Sequence, residues 1–246
     1  MTNLSRTWKW LASREGYDTP HVDGIWPNGT TGAWYNGSIN ISTDREWRED
    51  TNSHEYAHHW VHNYAVAIPP DYCNGICDDS PTECGHCIWC NETTTVAFSE
   101  GFPNWVCDII TRSYAVDYGI ASQFTRSQEN LATCDGVTMH DPLLTEGFFG
   151  ALCRDIEDAG NESHPAYPGF SDVLTLGSNE IFDVVDFDHS TTPMQFLNDF
   201  KARFPQHKEG LWETAKNCGY EIDVTAPGAP TNLTSSSHST TGDSPD

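Results

Sequence analysis

The sequence predicts an α+β domain that is mainly helical around its functional site, with a small sheet near the N-terminus. Two observations favour this class. Ile39 and Ile41 alternate with polar residues just after the hairpin dipeptide Asn36-Gly37, as a half-buried strand requires. Several segments after residue 50 carry helix signals, such as Phe148, Leu152 and Ile156 at i, i+4 and i+8 and the apolar stripe Phe196, Leu197, Phe200 and Phe204.

The first predicted elements are a hairpin and a helix. The hairpin has strands over residues 32–35 and 38–42, whereas residues 1–30 give no clear signal. N-cap candidates at residues 50–53 predict a helix that runs to about Ala65, because the two prolines at 69 and 70 prevent its continuation.

Five further helices are expected. They cover residues 91–111, residues 143–158, a segment around 180–185, a segment that begins at Thr192-Pro193, and residues 209–217. Pro103 lies inside the first of these and predicts a kink or a break, since proline lacks an N–H group.

The chain is expected to form one domain over residues 1–223 and a tail over residues 224–246. The 246 residues suffice for one domain with a real core. The Pro/Ser/Thr-rich tail resembles the opening of a fibronectin type III module, and a plain disordered linker is the alternative.

The net charge of the chain argues against some classes of binding partner. The formal net charge is −24, from 36 acidic and 12 basic residues, so nucleic acid and anionic membrane surfaces are not expected as partners. No apolar run approaches the roughly 18 residues of a membrane span. The acidic surface favours a secreted protein whose leader segment is missing from this fragment, and it is also compatible with bound divalent cations.

Nine cysteines give two interpretations. Five of them lie in a Cys-rich insert at residues 67–92, at Cys73, Cys77, Cys84, Cys87 and Cys90. Two C-x2-C steps in this insert are typical of a structural zinc site, whereas an oxidising compartment favours disulfides. The other four, Cys107, Cys134, Cys153 and Cys218, are possible disulfide partners.

The motif that carries chemistry is H-E-x-x-H, formed by His54, Glu55 and His58. Histidines at i and i+4 share one helix face, so both imidazoles can reach one metal ion, and the glutamate is carried toward a water on that ion. A solvated helix face is the alternative. A catalytic zinc ion usually has three protein ligands and one open position.

The third ligand is expected from a later helix. A histidine at position 64 would supply it from the same helix, but that position holds Tyr64, and His62 lies too far along the axis from His54. Glu100, followed by Gly101, is 42 residues after His58 and offers a carboxylate, although an ordinary exposed glutamate is the alternative.

The set His54, Glu55, His58, Glu100 and Gly101 resembles the gluzincin metallopeptidases. The resemblance implies a zincin-like catalytic domain, one catalytic Zn²⁺ held by the two histidines and Glu100, and Glu55 as the general base in peptide hydrolysis. It also implies that the insert borders the cleft and shapes substrate choice.

Further roles follow from the same resemblance. An edge strand formed by Gly32, Ala33, Trp34 and Tyr35 would pair with the substrate backbone above the metal-binding helix. Zinc aminopeptidases of this group carry a glutamate at the position of Tyr35 to hold the substrate amine, so its absence implies an endopeptidase. Asn104 stands where an aspartate orients the first histidine.

The resemblance finally implies a donor to the oxyanion. His140 is preferred because it precedes a predicted helix after an Asp/Gly-rich turn, and Tyr114, His164 and His189 are the alternatives. Ca²⁺ at Glu146, Asp155 and Asp158, or at the insert, is a further expectation beside a plain solvated face.

The predicted function is therefore zinc-dependent cleavage of peptide or protein substrates by a monomeric secreted enzyme. A zinc hydrolase of a non-peptide bond is the first alternative. An inactive metallopeptidase fold that serves as a binding or adhesion module is the second, and retention of Glu55 argues against it.

Overall fold

The computed structural model describes residues 2–46, 48–65, 88–89, 91–114, 141–160 and 169–222. Over these residues the protein is mainly helical with a small three-stranded mixed sheet, which confirms the predicted fold class at that level. The helices are α1 (Thr2–Trp10), α2 (Glu49–Tyr64), α3 (Thr94–Ser113), α4 (Glu146–Glu157), α5 (Asn179–Asp183), α6 (Pro193–Arg203) and α7 (Lys208–Asn217). The strands are β1 (Gly24–Ile25), β2 (Ala33–Tyr35) and β3 (Ile39–Ile41).

The predicted hairpin is present and forms the larger part of the sheet. β3 lies in the middle, antiparallel to β2 and parallel to β1. Ile39 and Ile41 are buried as expected, but Asn40 between them is buried too. Its side-chain amide donates to the carbonyl of Trp34, so hydrogen bonds replace the solvent that the alternating pattern predicted.

The core is aromatic and is centred on Trp60 of α2. Its ring contacts Phe102 at 5.4 Å and Phe182 at 4.9 Å between centroids, and Tyr17 from the N-terminal segment at 5.0 Å. These rings bring α2, α3 and α5 together. Aromatic pairs in tilted and edge-to-face geometry stabilise such a core beyond the area that they bury.

α3 lies between α2 and α4 and runs for 20 residues without interruption. Its N-cap is Thr93, whose side chain accepts a hydrogen bond from the Val96 amide at 3.2 Å. The predicted break at Pro103 is therefore wrong. The proline removes one helical hydrogen bond, but its ring is buried with the surrounding core residues, which keeps the helix whole.

The start of α4 differs from the prediction, whereas the start of α6 and the end of α7 agree with it. α4 begins at Glu146 and not at 143, because a 3₁₀ turn over Pro142–Leu144 precedes it. α6 begins at Pro193 as predicted, with Thr192 as its N-cap. α7 ends at Asn217, before Gly219 with φ of +83°.

α1 was not predicted from the sequence. Its buried residues include Trp10 and the fully buried Thr7. Because Thr7 is polar, the buried face of the helix does not show as an apolar pattern in the sequence. Single turns of π-helix follow α1 at Leu11–Glu15 and α5 at Val184–Asp188.

None of the helices in the described part of the chain is both long and apolar enough to cross a membrane. The tail at 224–246 and the five cysteines of the insert lie outside the described residues, so the predictions for them stay predictions.

Candidate metal centre

The side chains of His54, His58 and Glu100 converge at one point between α2 and α3. The two histidine Nε2 atoms are 3.0 Å apart, and each lies 3.1 Å from Oε2 of Glu100. Among the described residues this is the only group of three or more His, Cys, Asp or Glu side chains whose ligand atoms could hold one metal ion. The sequence had predicted these three ligands.

Each ligand is placed by its helix. His54 and His58 are one turn apart on α2, so their rings point to the same side and lie 4.8 Å apart between centroids. Glu100 lies in the second turn of α3, which packs along α2. Although 29 residues separate the two helices in the sequence, the packing of α3 on α2 brings the carboxylate to the imidazoles.

Hydrogen bonds among the three atoms do not satisfy all of them. If both Nε2 atoms donate to Glu100, two N–H groups face each other at 3.0 Å, which is repulsive. If one Nε2 is an acceptor, that histidine loses its bond to the carboxylate. A cation at the centre of the triangle resolves this conflict, because all three atoms then present lone pairs to it.

The triangle fits the dimensions of a tetrahedral site. With bonds of about 2.0–2.2 Å to nitrogen and oxygen, the three atoms are close enough together to hold one zinc ion, and a water could occupy the remaining position. The side chains of His54, His58 and Glu100 are 9%, 19% and 17% exposed, so the ligands are largely buried but remain accessible from one side.

Glu55 follows His54 on α2 and is 6% exposed. It is not one of the three converging ligands. Its predicted role as general base stays a prediction.

Asn104 lies one turn after Glu100 on α3 and is 2% exposed. Its Nδ2 atom has no hydrogen-bond partner among the described residues. Its predicted role in orienting His54 stays a prediction.

Tyr35, predicted to be part of the substrate-binding strand, is turned toward α2. Its hydroxyl donates to Nδ1 of His59 at 3.1 Å, and the opposite nitrogen of that ring, Nε2, donates to the carbonyl of Pro20 at 2.9 Å. Burial lowers the pKa of His59, and the neighbouring His62 and His21 lower it further. The neutral ring therefore links β2 to α2. Sequence reasoning missed this link because it did not consider His59.

Ala33 and Trp34 lie in β2 as predicted, whereas Gly32 precedes the strand. β2 is an outer strand of the described sheet, and Trp34 is 38% exposed. β2 packs on the metal-binding helix α2. Pairing with a substrate backbone stays a prediction.

The oxyanion donor is not identified among the described residues. His140 and the alternative His164 lie outside them. Tyr114 follows the end of α3, 14 residues after Glu100, or about 21 Å along the helix axis. That separation excludes Tyr114 as a donor at the metal centre, and its ring instead packs under the guanidinium of Arg6.

The expected calcium ligands around α4 serve other contacts. Asp155 accepts hydrogen bonds from Asn217 and Cys218, and Asp158 forms an ion pair with Arg154 at 3.3 Å. The alternative prediction was a solvated helix face. It is wrong for Glu146, which is only 1% exposed.

The three cysteines in the described part of the chain, Cys107, Cys153 and Cys218, are free and buried. The expectation that they pair in disulfides is therefore wrong. Burial raises the pKa of all three thiols, which keeps them protonated and unreactive at neutral pH.

Comparison with known proteins gives no relative. No protein-family model matches the chain, and no curated protein matches it at a significant level. The metal centre must therefore be interpreted from its own geometry.

Proposed function

We propose that the protein is a zinc-dependent peptidase of the gluzincin type that cleaves internal peptide bonds. One observation carries the proposal: two imidazoles on α2 and the carboxylate of Glu100 on α3 converge within 3.1 Å of one another. Two histidines and one glutamate, with an open fourth position, are a donor set typical of catalytic zinc in peptidases.

The ion supplies a Lewis acid and lowers the pKa of its bound water to about 7. With the ion bound, Glu55 would accept the proton of that water and pass it to the amine of the leaving group. Its place next to His54 on α2, outside the three converging ligands, supports this role.

The position of Tyr35 supports an endopeptidase. Its hydroxyl is committed to His59, and a phenol carries no negative charge at neutral pH with which to hold a substrate amine. Burial raises the pKa of Tyr35 further above its ordinary value. β2 then offers only backbone groups to a substrate, which suits the middle of an extended chain as well as its end.

Peptide or protein substrates in an extracellular setting, cleaved by a monomer, complete the proposal. The net charge of −24 supports a role away from nucleic acid.

The test is Glu55→Gln, with zinc content and proteolysis measured on the same preparation. We expect about one zinc ion per chain in both the parent and the variant. We expect activity on a peptide panel to fall by about 10²- to 10⁴-fold in the variant, since general-base catalysis is lost.

Glu213→Gln is the matched control, because it makes the same change on α7 away from the metal centre. It should keep the parental zinc content and activity, so that a loss in Glu55→Gln alone is assigned to the base. Parental activity in Glu55→Gln contradicts the assignment of the base. A parent that binds zinc and cleaves no peptide in the panel overturns the proposed function in favour of a non-peptide substrate or an inactive binding module.

A further inference from the structure

α3 and α4 make an unusually close contact beside Glu100. A Cβ atom added to Gly101 would lie 2.6 Å from the carbonyl oxygen of Glu146 and 2.9 Å from Cβ of Phe149. Both atoms belong to the first turns of α4 and neither is the end of a flexible side chain. Any residue other than glycine at 101 therefore forces the two helices apart.

The first turn of α4 is also held from its other side. The amide of Gly147 donates to the carbonyl of Ile88 at 2.7 Å, and the amide of Glu92 donates to the carbonyl of Leu144 at 2.7 Å. A Cβ atom on Gly147 would lie 2.5 Å from the Ile88 oxygen. The turn is thus held as a wedge between Ile88 and Glu92 on one side and α3 on the other, and it cannot move away from a larger side chain at 101.

This wedge fixes the backbone next to a proposed metal ligand. Relief of a 2.6 Å contact to an ordinary 3.4 Å requires a shift of α3 of about 0.8 Å. Metal–ligand distances tolerate only about 0.2 Å. Since the two histidines are on α2, a shift of α3 moves Glu100 relative to them and distorts the triangle of ligand atoms.

A glycine inside a helix needs such a reason. It costs about 1 kcal/mol relative to alanine at an ordinary helical position. Gly101 lies well inside α3, with full turns on either side.

We propose that Gly101 is a positioning residue, because the contact that it permits between α3 and α4 sets the distance of Glu100 from His54 and His58. Gly147 supports it by permitting the contact of α4 with Ile88 and Trp89 on the other side. The inference rests on the proposed function in one respect, that the triad binds a metal ion. It extends that function because it makes α4, which contributes no ligand, part of the metal centre.

The experiment compares Gly101→Ala with Gly210→Ala in the full chain. Gly210 is on α7, where an added Cβ atom would also lie 2.6 Å from a neighbour, Cδ2 of Leu174. Both variants crowd a buried contact, but only the first adjoins the ligands. Zinc affinity is measured by competition with a chromogenic chelator well below the unfolding temperature, and Co²⁺ replaces zinc for visible spectra.

We expect Gly101→Ala to bind zinc about 10- to 100-fold more weakly than the parent, as the loss of a supporting contact does in other zinc sites. Its Co²⁺ spectrum should lose the intensity of a four-coordinate site. Gly210→Ala should keep the affinity within about threefold and keep the parental spectrum, even where its thermal stability falls.

Parental affinity in folded Gly101→Ala overturns the inference and leaves the glycine a purely structural role. If Gly101→Ala does not fold, Gly147→Ala presses on the same wedge from the other side and must lower the affinity in the same way. A parent that binds zinc without peptidase activity refutes the proposed function, yet the affinities still decide the role of Gly101. A parent that binds no zinc refutes both.

Discussion

The two helices that carry the ligands are held in place by different means. α2 is fixed by side-chain hydrogen bonds to the N-terminal segment and the sheet: Ser53 to Thr7, Tyr56 to Thr19, His59 to Tyr35 and Pro20, and Tyr64 to Asp18. α3 is fixed to α4 by the close contact at Gly101 and by a buried ion network near its C-terminus. The position of the histidines thus depends on many weak hydrogen bonds, whereas the position of Glu100 depends on a few strong contacts.

The difference follows from what each helix presents. α2 is rich in polar residues, and several of them are buried, so they must find hydrogen-bond partners. α3 is apolar over most of its length and packs on both sides. Hydrogen bonds can be lost one at a time, at about 1 kcal/mol each, whereas a tight packing contact gives way as a whole.

The largest expected effect comes from Asp108→Asn in α3. Asp108 is fully buried and accepts from Arg112 at 2.7 Å and from Arg154 of α4 at 3.0 Å. Removing its charge takes a shared buried partner from both guanidinium groups, although Arg112 keeps Glu157 and Arg154 keeps Asp158. The free energy of unfolding should fall by about 3–5 kcal/mol. Urea denaturation measures this value.

Asp188→Asn is the control, because Asp188 also pairs with an arginine, Arg203, but at the surface. It should cost less than about 1 kcal/mol. Equal effects of the two variants would show that the ion network does not secure α3, and the comparison between the helices would fail.

A smaller effect is expected from Tyr35→Phe, which removes one hydrogen bond from α2. The phenyl ring keeps its contacts with His59 and His62, and Asn63 still lies 3.2 Å from Nδ1 of His59. The free energy of unfolding should fall by about 1 kcal/mol, while zinc affinity stays within about threefold of the parent.

Tyr64→Phe, which removes the bond to the carbonyl of Asp18, should behave in the same way. A tenfold loss of zinc affinity in Tyr35→Phe alone would mean that β2 positions the histidines through one dominant contact, as α4 is proposed to position Glu100.

The smallest effect, with the opposite sign, is expected from Glu15→Gln in the segment that braces α2. Burial raises the pKa of Glu15, and Asp183 and Glu180 raise it further, against the hydrogen bond from Ser178 and the charge of Arg14. The folded state then binds a proton more tightly than the unfolded state, so stability falls as pH rises from about 4.5 through the raised pKa.

Glutamine keeps an acceptor for Ser178 and has no charge to bury. Glu15→Gln should therefore raise the free energy of unfolding at pH 7 by less than about 1 kcal/mol, and the gain should disappear near pH 4. Thermal denaturation at both values of pH measures it. A gain that is equal at the two values would show that ionisation of Glu15 is not its source.

The sequence predicted the ligands better than it predicted their supports. His54 and His58 follow from local spacing, and Glu100 follows from the need for a third ligand on another helix. The wedge at Gly101 could have been suspected from a glycine inside an apolar helix, but its partner on α4 lies 46 residues further along the chain.

α1 was missed for a related reason. Its face includes Thr7, which is buried because it accepts a hydrogen bond from Ser53 on α2. A pattern based on apolar residues cannot find a polar residue whose partner is supplied by the folded structure. The break predicted at Pro103 is wrong because the prediction considered only the lost hydrogen bond. It did not include the packing of the proline ring in the core.

Pro103 has a further consequence for the motions of α3. Because it has no N–H group, it cannot donate to the carbonyl of Ser99, the residue just before Glu100. The helix thus lacks one backbone hydrogen bond, at the residue just before Glu100. The first two turns, which include Glu100, are therefore joined to the rest of the helix by one hydrogen bond fewer, and the contact at Gly101 has to hold them. Amide hydrogen exchange in these turns would measure how often they open.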